Sequence, residues 1–365
     1  MRLTSKTCGG TVPSEPIGFA VVGLGVGAAH AREISLVPGA RLVGVYDRDA
    51  QRLASVATRH GCKQFGAYEQ LLDDPAVDVV SIATPNGTHS RLGVMAAEAG
   101  KHLVVEKPLD VSLAAADRLI EASERAGVKL AGIFQSRFYP LFCAIKEAVN
   151  IGRLGPLYGV HADMFWWRDE SYFAAAGARR RADWRMDGGG ALATQGVHTL
   201  DLVQWFGGPV ASVFGYMGRY VQDIEAEDKL SCLLRFQSGA IGSLNATTVA
   251  WGGGGDTLTV HGQGGTIATG KQRETLEVWQ LRNDNADESR RMLARFGPGG
   301  DRDWADDPHT GHRDIFSDMV RAIVEDRKPA VDGREARVAV ELMLAIYESC
   351  RSGLEVRLPL AAQPD

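Results

Sequence analysis

The sequence predicts an α/β domain built on a doubly wound parallel sheet, followed by an α+β domain with an open, mainly antiparallel sheet. Two observations carry this reading. Short apolar runs alternate with amphipathic stretches up to about residue 136, and longer alternating runs punctuated by glycine turns take over after Arg137. The length of 365 residues suits two domains.

Ile17–Val22 reads as a buried strand from its β-branched, apolar character, and a glycine turn then leads into a helix ending near Pro38. A second strand spans 41–46, and Asp49 is placed to cap a helix reaching His60. Strands at 77–83, 102–105 and 129–134 follow, separated by helices over 88–99 and 113–126. Beyond Arg137, a helix over 141–149 precedes strands at 157–166, 210–220, 229–236, 240–249, 257–261 and 266–269. Helices over 313–325 and 334–352 and a last strand at 355–358 close the chain. The resulting division is a flexible tail over 1–16, a first domain over 17–136 and a second over 137–365.

Composition narrows the function classes. Apolar residues make up 45% and charged residues 23%, ordinary values for a globular chain with a full core. Forty Lys and Arg against 45 Asp and Glu leave a net charge of -5, so no global basic field exists to hold a nucleic acid. The five cysteines are scattered without a CxxC pair, which supports neither a disulfide framework nor a cysteine zinc site. They read as small buried residues in a reducing compartment, and the polar opening stretch has no signal-peptide core, so a cytoplasmic protein is expected. No run is long and apolar enough for a membrane span.

Gly23-Leu24-Gly25-Val26-Gly27-Ala28 lies where the first strand meets the first helix and fits G-x-G-x-x-A. Gly23 permits the tight turn, Gly25 admits a pyrophosphate against the backbone, and Ala28 is expected to allow close helix–strand packing. The helix N-terminus then offers free N–H groups to the phosphates. Asp47 ends the second strand 19 residues after Ala28, where an acid binds the adenine ribose hydroxyls. That carboxylate favours NAD over NADP, while the adjacent Arg48 leaves NADP possible.

Two segments carry the chemistry. Glu106-Lys107-Pro108 follows the strand at 102–105, which puts Lys107 at the carboxyl ends of the parallel strands, where ligands bind. Further on, Gly188, Gly189 and Gly190 open a helix on which Thr194, His198 and Asp201 are spaced i, i+4 and i+7. On a helix those three share one face, either a buried polar network or an active-site wall. His309 and His312 with Asp306 and Asp307 invite a metal reading, but Pro308 makes a helix-capping segment equally natural, and no metal is assigned. Arg179-Arg180-Arg181 reads as solvated surface, with contact to an anionic substrate as the alternative.

These residues give the chain a resemblance to the Gfo/Idh/MocA family of glucose–fructose oxidoreductase and inositol dehydrogenase-like enzymes, running from Ile17 to Pro359. Its carriers are the glycine turn, Ala83-Thr84-Pro85-Asn86 with His89, Glu106-Lys107-Pro108, Gln135 and Arg137, the glycine–histidine helix, Glu227-Asp228, and the closing Asp332-Gly333 and Ala345-Ile346-Tyr347. The resemblance implies a Rossmann domain, a second domain with an open sheet, and homodimers or homotetramers formed through that sheet. It makes Lys107 and His198 the catalytic pair. It places Thr84, Asn86, His89, Glu106, Lys107 and Gln135 along the cofactor, with Trp184 and Arg185 reaching it from the second domain. Lys107, Arg137, Tyr172, Thr194, His198 and Asp201 are expected on the substrate side. Thr194 stands where many members have an Asp, and the Thr-Gln-Gly-x-His-Thr-x-Asp form is similar to subgroups acting on nucleotide sugars or polyols.

The expected activity is hydride transfer between a nicotinamide cofactor and a secondary alcohol or ketone of a sugar, nucleotide sugar or polyol. Lys107 and His198 share two roles, accepting the hydroxyl proton and steadying the oxygen, and either residue can take either role. The rival readings are a dinucleotide-binding sensor of the same fold and a glycosidase that uses bound NAD for transient oxidation.

Overall fold

The first strand, β1 (Ile17–Val22), consists of six apolar residues, all of them buried, and it sits at the centre of the first sheet. A computed structural model describes residues 15–174, 181–270, 275–282, 286–298 and 310–360. Most of the expected tail therefore lies outside the described residues.

The strands β2 (Ala40–Tyr46), β3 (Lys63–Gln64), β4 (Val79–Ile82), β5 (His102–Val105) and β6 (Leu130–Gly132) join β1 in the order β3-β2-β1-β4-β5-β6. Every pairing is parallel. The crossovers are α1 (Gly27–Ile34), α2 (Ala50–His60), α3 (Tyr68–Asp73), α4 (His89–Glu98) and α5 (Leu113–Ala126). Local chemistry fixes several boundaries. Asp49 caps α2 by accepting from the Gln51 and Arg52 amides, and Ser112 caps α5. Gly61 and Gly127 end these two helices in the left-handed region.

The second part begins with α6 (Pro140–Asn150), β7 (Leu157–Phe165) and α7 (Glu170–Ala174). A π-helical turn over Leu192–Gly196 then runs straight into α8 (Val197–Gly207). Next come β8 (Val210–Gly218), β9 (Lys229–Phe236), β10 (Ile241–Thr247), β11 (Gly255–Gly262), β12 (Gly265–Thr269) and β13 (Leu276–Leu281). The chain closes with α9 (Ala286–Phe296), α10 (Thr310–Val324), α11 (Gly333–Ser352) and β14 (Val356–Arg357). The sheet order is β13-β12-β11-β7-β10-β9-β8-β14, antiparallel except between β7 and β10. Along β9, Leu230, Cys232, Leu234 and Phe236 are buried while Leu233 and Arg235 are exposed. One face is therefore covered, and α6, α8 and α11 supply the covering core.

The chain then returns to the first sheet, which a division at residue 136 does not convey. Ile315, Phe316, Met319 and Val320 of α10 share a core with Phe19, Val21, Ala31 and Ile34. Along α11, Ala336, Ala339 and Val340 pack with the first sheet, and Leu342, Met343 and Ile346 pack with the second. This helix is a strut between the two sheets. A further tie is the ion pair between Arg137, which follows β6, and Asp201 of α8. Arg137 donates through Nε and a terminal nitrogen to both carboxylate oxygens, at 2.8 and 2.6 Å, with both side chains buried.

The sequence reading overlooks β3, α3, α7, β13 and α9. Cysteine burial also differs from expectation. Cys232 is buried, but Cys62 and Cys350 are half-buried and Cys143 is exposed; Cys8 lies outside the described residues. The position of Cys143 on α6 turns it away from the sheet core, and its thiol meets the Arg137 carbonyl at 3.2 Å.

Arg137→Leu leaves the Asp201 carboxylate buried without its cation, so stability should fall by about 3–5 kcal/mol. The double change with Asp201→Leu removes both charges and should cost much less. Urea denaturation of the three proteins measures this, and equal losses in the single and double variants would remove the pair as the cause.

Candidate active site

The glycine turn after β1 has the shape a diphosphate requires. Gly23 has φ +83°, and a Cβ there would lie 2.7 Å from the Ala83 carbonyl oxygen, so only glycine fits. Around Gly25 nothing lies within 4 Å of an added Cβ, which leaves the backbone open to a ligand. No side chain caps α1, so its first N–H groups stay available to an anion. The close packing against β1 belongs to Gly27, whose Cβ would sit 2.9 Å from Val21; Ala28 is only half-buried. The expected role of Ala28 thus moves one residue back.

Asp47 accepts the Leu24 amide at 2.6 Å and the Asp49 amide at 2.8 Å. These bonds fix its carboxylate beside the glycine turn. Arg48 is exposed, and the cation that meets Asp47 is Arg52 of α2, at 3.4 Å. The sequence reading passed over Arg52, although its place on the helix capped by Asp49 put it within reach. Together the open turn, the uncapped helix and the fixed carboxylate fit a dinucleotide.

At the carboxyl ends of β4 and β5, several expected cofactor-lining residues are committed to one another. The Thr84 and Thr88 hydroxyls are 2.7 Å apart. Asn86 donates to the Asp187 carbonyl at 2.8 Å, and the Gly87 amide donates to Met186, so this loop docks on the segment before the glycines. His89 is fully buried, with its ring nitrogens 2.8 and 2.9 Å from the Thr84 and Pro108 carbonyls. It holds the two loops together from beneath rather than lining the cleft, because α4 buries it at its first turn. Gln135 is buried after β6, and its side-chain oxygen has no partner among the described residues, leaving an acceptor for a ligand.

Glu106 and Lys107 point in different directions. The Glu106 carboxylate is buried, 3.1 Å from His30 Nε2 and 3.9 Å from His312 Nε2. Burial pushes its carboxyl up, yet the His30 hydrogen bond and the nearby Lys107 and His312 hold it well below the ordinary range. These three residues could hold a metal, since their ligand atoms lie within 4.8 Å of one another. His30, however, already spans Ser81 and Glu106 with its two nitrogens. Asp306, Asp307 and His309 lie outside the described residues. Lys107 Nζ reaches across to the second part and donates to the Thr194 carbonyl at 2.8 Å.

The glycine–histidine helix is shaped by two buried residues from distant strands and helices. A Cβ on Gly190 would lie 1.7 Å from the Glu227 carbonyl oxygen, and one on Gly189 would lie 2.0 Å from the Tyr347 hydroxyl. Glu227 accepts the Gly190 and Leu192 amides and the Tyr347 hydroxyl, each at 2.9 Å. Burial lifts the carboxyl of Glu227 and the hydroxyl of Tyr347 above their usual ranges. The π-helical turn that follows contains Thr194, so Thr194, His198 and Asp201 do not share a single α-helical face. The Thr194 hydroxyl donates back to Gly190 at 2.7 Å, which leaves its carbonyl, not its side chain, as the group offered to the cleft. Asp201 and Arg137, expected on the substrate side, are paired with each other, and Arg137 also donates to Glu335 at 2.9 Å. His198 is buried, with its ring edge-on to Phe134.

Trp184, expected to reach the cofactor, packs edge-on against Tyr347 at 4.9 Å with Arg351 over its ring at 4.4 Å, and so braces the helix start. Arg185 is exposed, and its carbonyl lies against Gly87. The Tyr172 hydroxyl accepts from Gln195 at 2.6 Å, which brings Tyr172 to the π-helical turn before His198. Gln195 itself was not singled out, though its position between Thr194 and His198 was the available signal.

Glu227→Ala would strip three buried donors of their acceptor, each worth roughly 1–3 kcal/mol. A loss of at least about 3 kcal/mol in urea denaturation is expected. The raised carboxyl binds its proton more tightly in the folded state, so its contribution is present in acid and fades as pH rises through the folded value. Relative to Glu227→Gln, the unaltered protein should therefore lose stability as pH rises above the ordinary glutamate value of about 4.3. A flat difference would mean that folding does not raise the Glu227 carboxyl.

Comparison with known proteins agrees with this geometry. Residues 17–134 match the oxidoreductase family with an NAD-binding Rossmann fold, and residues 142–268 match the GFO/IDH/MocA C-terminal domain. Myo-inositol 2-dehydrogenase of Thermotoga maritima is 29% identical over 93% of this chain and 97% of its own length. The NAD(+)-dependent scyllo-inositol 2-dehydrogenase of Bacillus subtilis is 28% identical over 93% and 95%. The crystal structure of the WlbA dehydrogenase from Bordetella pertussis, in complex with NADH and UDP-GlcNAcA, superposes with a TM-score of 0.88 at 30% identity, covering 96% of this chain and all of that one. The chain belongs to the Gfo/Idh/MocA family of NAD-binding oxidoreductases.

Proposed function

We propose that the protein is an NAD-dependent dehydrogenase acting on a secondary alcohol of a sugar, nucleotide sugar or polyol. The observation that carries this reading is the 2.8 Å contact from Lys107 Nζ to the Thr194 carbonyl, four residues before His198. It brings a cation from the dinucleotide-binding unit onto the histidine helix of the second unit. The inositol dehydrogenases and the sugar-bound WlbA enzyme among its relatives support this substrate range.

Bound NAD would supply the hydride acceptor. The open Gly25 backbone and the start of α1 hold the pyrophosphate, and Asp47 accepts from the adenine ribose hydroxyls. Lys107 holds the carbinol oxygen and steadies its developing negative charge, while His198 takes the hydroxyl proton.

Two further features belong to this reading. The outward face of the second sheet carries exposed Tyr158, Tyr216, Leu233 and Ile241, which supports a homodimer or homotetramer closed through that face. The four described cysteines are all free, which supports a cytoplasmic location, and none of the described helices is long and apolar enough to cross a membrane.

Asp47→Ala should weaken NADH binding and narrow its advantage over NADPH in a fluorescence titration. Tighter binding of NADPH by the unaltered protein would overturn the preference. His198→Asn should leave NADH affinity nearly unchanged and lower turnover about 10²–10⁴-fold. The acidic limb of the pH–rate profile, expected in the histidine range, should vanish as well. Near-normal turnover with the limb intact would make Lys107 the proton acceptor.

A further inference from the structure

Tyr172 and two cationic side chains meet beside the histidine helix, and nothing in the dehydrogenase chemistry requires them. The Tyr172 hydroxyl is tied to Gln195 at 2.6 Å, and the guanidinium groups of Arg168 and Arg181 both stack on the Tyr172 ring, each 4.9 Å from its centre. Two positive charges are thus held no more than about 10 Å apart, one residue's reach from the helix that bears His198.

Neither arginine has an ion-pair partner among the described residues. Both Nε atoms are buried and meet no acceptor there. Asp169, next to Arg168, is exposed and spends its carboxylate on the Ser171 hydroxyl and the Tyr172 amide. Arg179 and Arg180 lie outside the described residues. The backbone holds Arg168 and Arg181 in place. The Arg168 amide donates to Thr248 at 2.8 Å, its carbonyl accepts from Gln222, and the Arg181 amide donates to Phe173 at 2.9 Å. Half-buried guanidinium groups with idle Nε donors and no ion pair in contact, Asp169 acting on Arg168 only through space, match the planar oxygens of a phosphate or carboxylate.

Beyond Arg168 the cluster continues outward. Arg168 lies 4.6 Å over the Trp166 ring, and a groove of about 650 Å³ opens between Trp166, Trp167 and Trp251. A flat ring attached through an anionic linker would find its stacking surface there.

We propose that the substrate of this dehydrogenase carries an oxyanion, and that Arg168 and Arg181 bind it on the Tyr172 platform. The inference rests on the dehydrogenase reading above and selects, within its substrate range, charged sugars over neutral polyols. The phosphate of a sugar phosphate, the diphosphate of a nucleotide sugar and the carboxylate of a uronic acid share the chemistry recognised.

The test is calorimetric binding to the NADH-loaded protein of four probes: UDP-glucose, glucose 6-phosphate, glucuronate and myo-inositol. At least one anionic probe should bind more tightly than myo-inositol. Arg168→Gln and Arg181→Gln should each weaken that probe about 10- to 100-fold, the worth of a charged hydrogen bond, and leave NADH affinity unchanged. Arg168→Lys keeps the charge without the planar fork and should fall between, a safeguard if Arg168→Gln perturbs the loop. Preference for UDP-glucose over glucose 6-phosphate, lost in Trp251→Ala, would assign the groove to the base. Equal binding of myo-inositol and every anion, or weakening of all probes alike in the arginine variants, would overturn the proposal. Arginine-dependent anion binding with no NADH formed from NAD and any sugar would uphold this site and sink the dehydrogenase reading. Turnover of myo-inositol indifferent to both arginines would do the reverse.

Discussion

The buried carboxylate of Glu227 sets the course of the helix that carries His198. It accepts the amides at the start of that helix and, through Tyr347, ties them to α11. Because its own backbone occupies the space where a Gly190 side chain would go, the glycines before the helix follow from its position. Tyr347 is in turn held by Trp184, so the approach to the helix, its start and the strut α11 form one packed unit. The π-helical turn lies directly after this anchored start, and its Thr194 carbonyl is where Lys107 arrives. Placement of the two candidate catalytic groups relative to each other therefore depends on a carboxylate that touches neither.

The two sheets are joined more firmly than a linker between domains would allow. α10 completes the core of the first sheet, α11 spans both cores, and the Arg137–Asp201 pair binds the end of β6 to α8. Loops add to this, since Asn86 and Gly87 dock on the segment before the glycines. A hydride can pass only between groups held in near-contact, and these ties keep the histidine helix fixed over the carboxyl ends of the parallel strands.

What was legible in the sequence follows from the range of the forces involved. Ile17–Val22, His102–Val105, Leu113–Ala126 and Lys229–Phe236 have the bounds that periodicity, caps and glycine stops specify, because those signals are local. Short or strongly charged elements such as β3 and α9 give too little periodic signal and take shape from their neighbours. In the site, the glycine turn, Asp47 and the segment around Lys107 were readable as motifs. The fates of Thr194, Arg137, Asp201 and Trp184 were not, because each is decided by a partner far along the chain. Arg137 and Asp201 are 64 residues apart, and neither one's residue type reveals that its charge is already spent. The π-helical turn is equally hidden, for the spacing of Thr194 and His198 looks α-helical until the geometry is seen.

Net charge and local charge carry different messages here. A chain at -5 holds no long-range attraction for a polyanion. At physiological ionic strength, however, exposed charges are screened beyond about 8 Å, so a small ligand in the cleft responds to its immediate neighbours. In the proposed reading those neighbours include the ammonium of Lys107 and the guanidinium groups of Arg168 and Arg181 stacked on Tyr172. Two carboxylates of the site are buried among their own partners, Glu106 against His30 and Glu227 against backbone amides, and the half-buried Asp256, beside His198, accepts from Trp166. Glu106 and Glu227 thus contribute to the fold, while Arg168 and Arg181 meet no ion-pair partner among the described residues, so the sign of the net charge does not decide which ligands the proposed site favours.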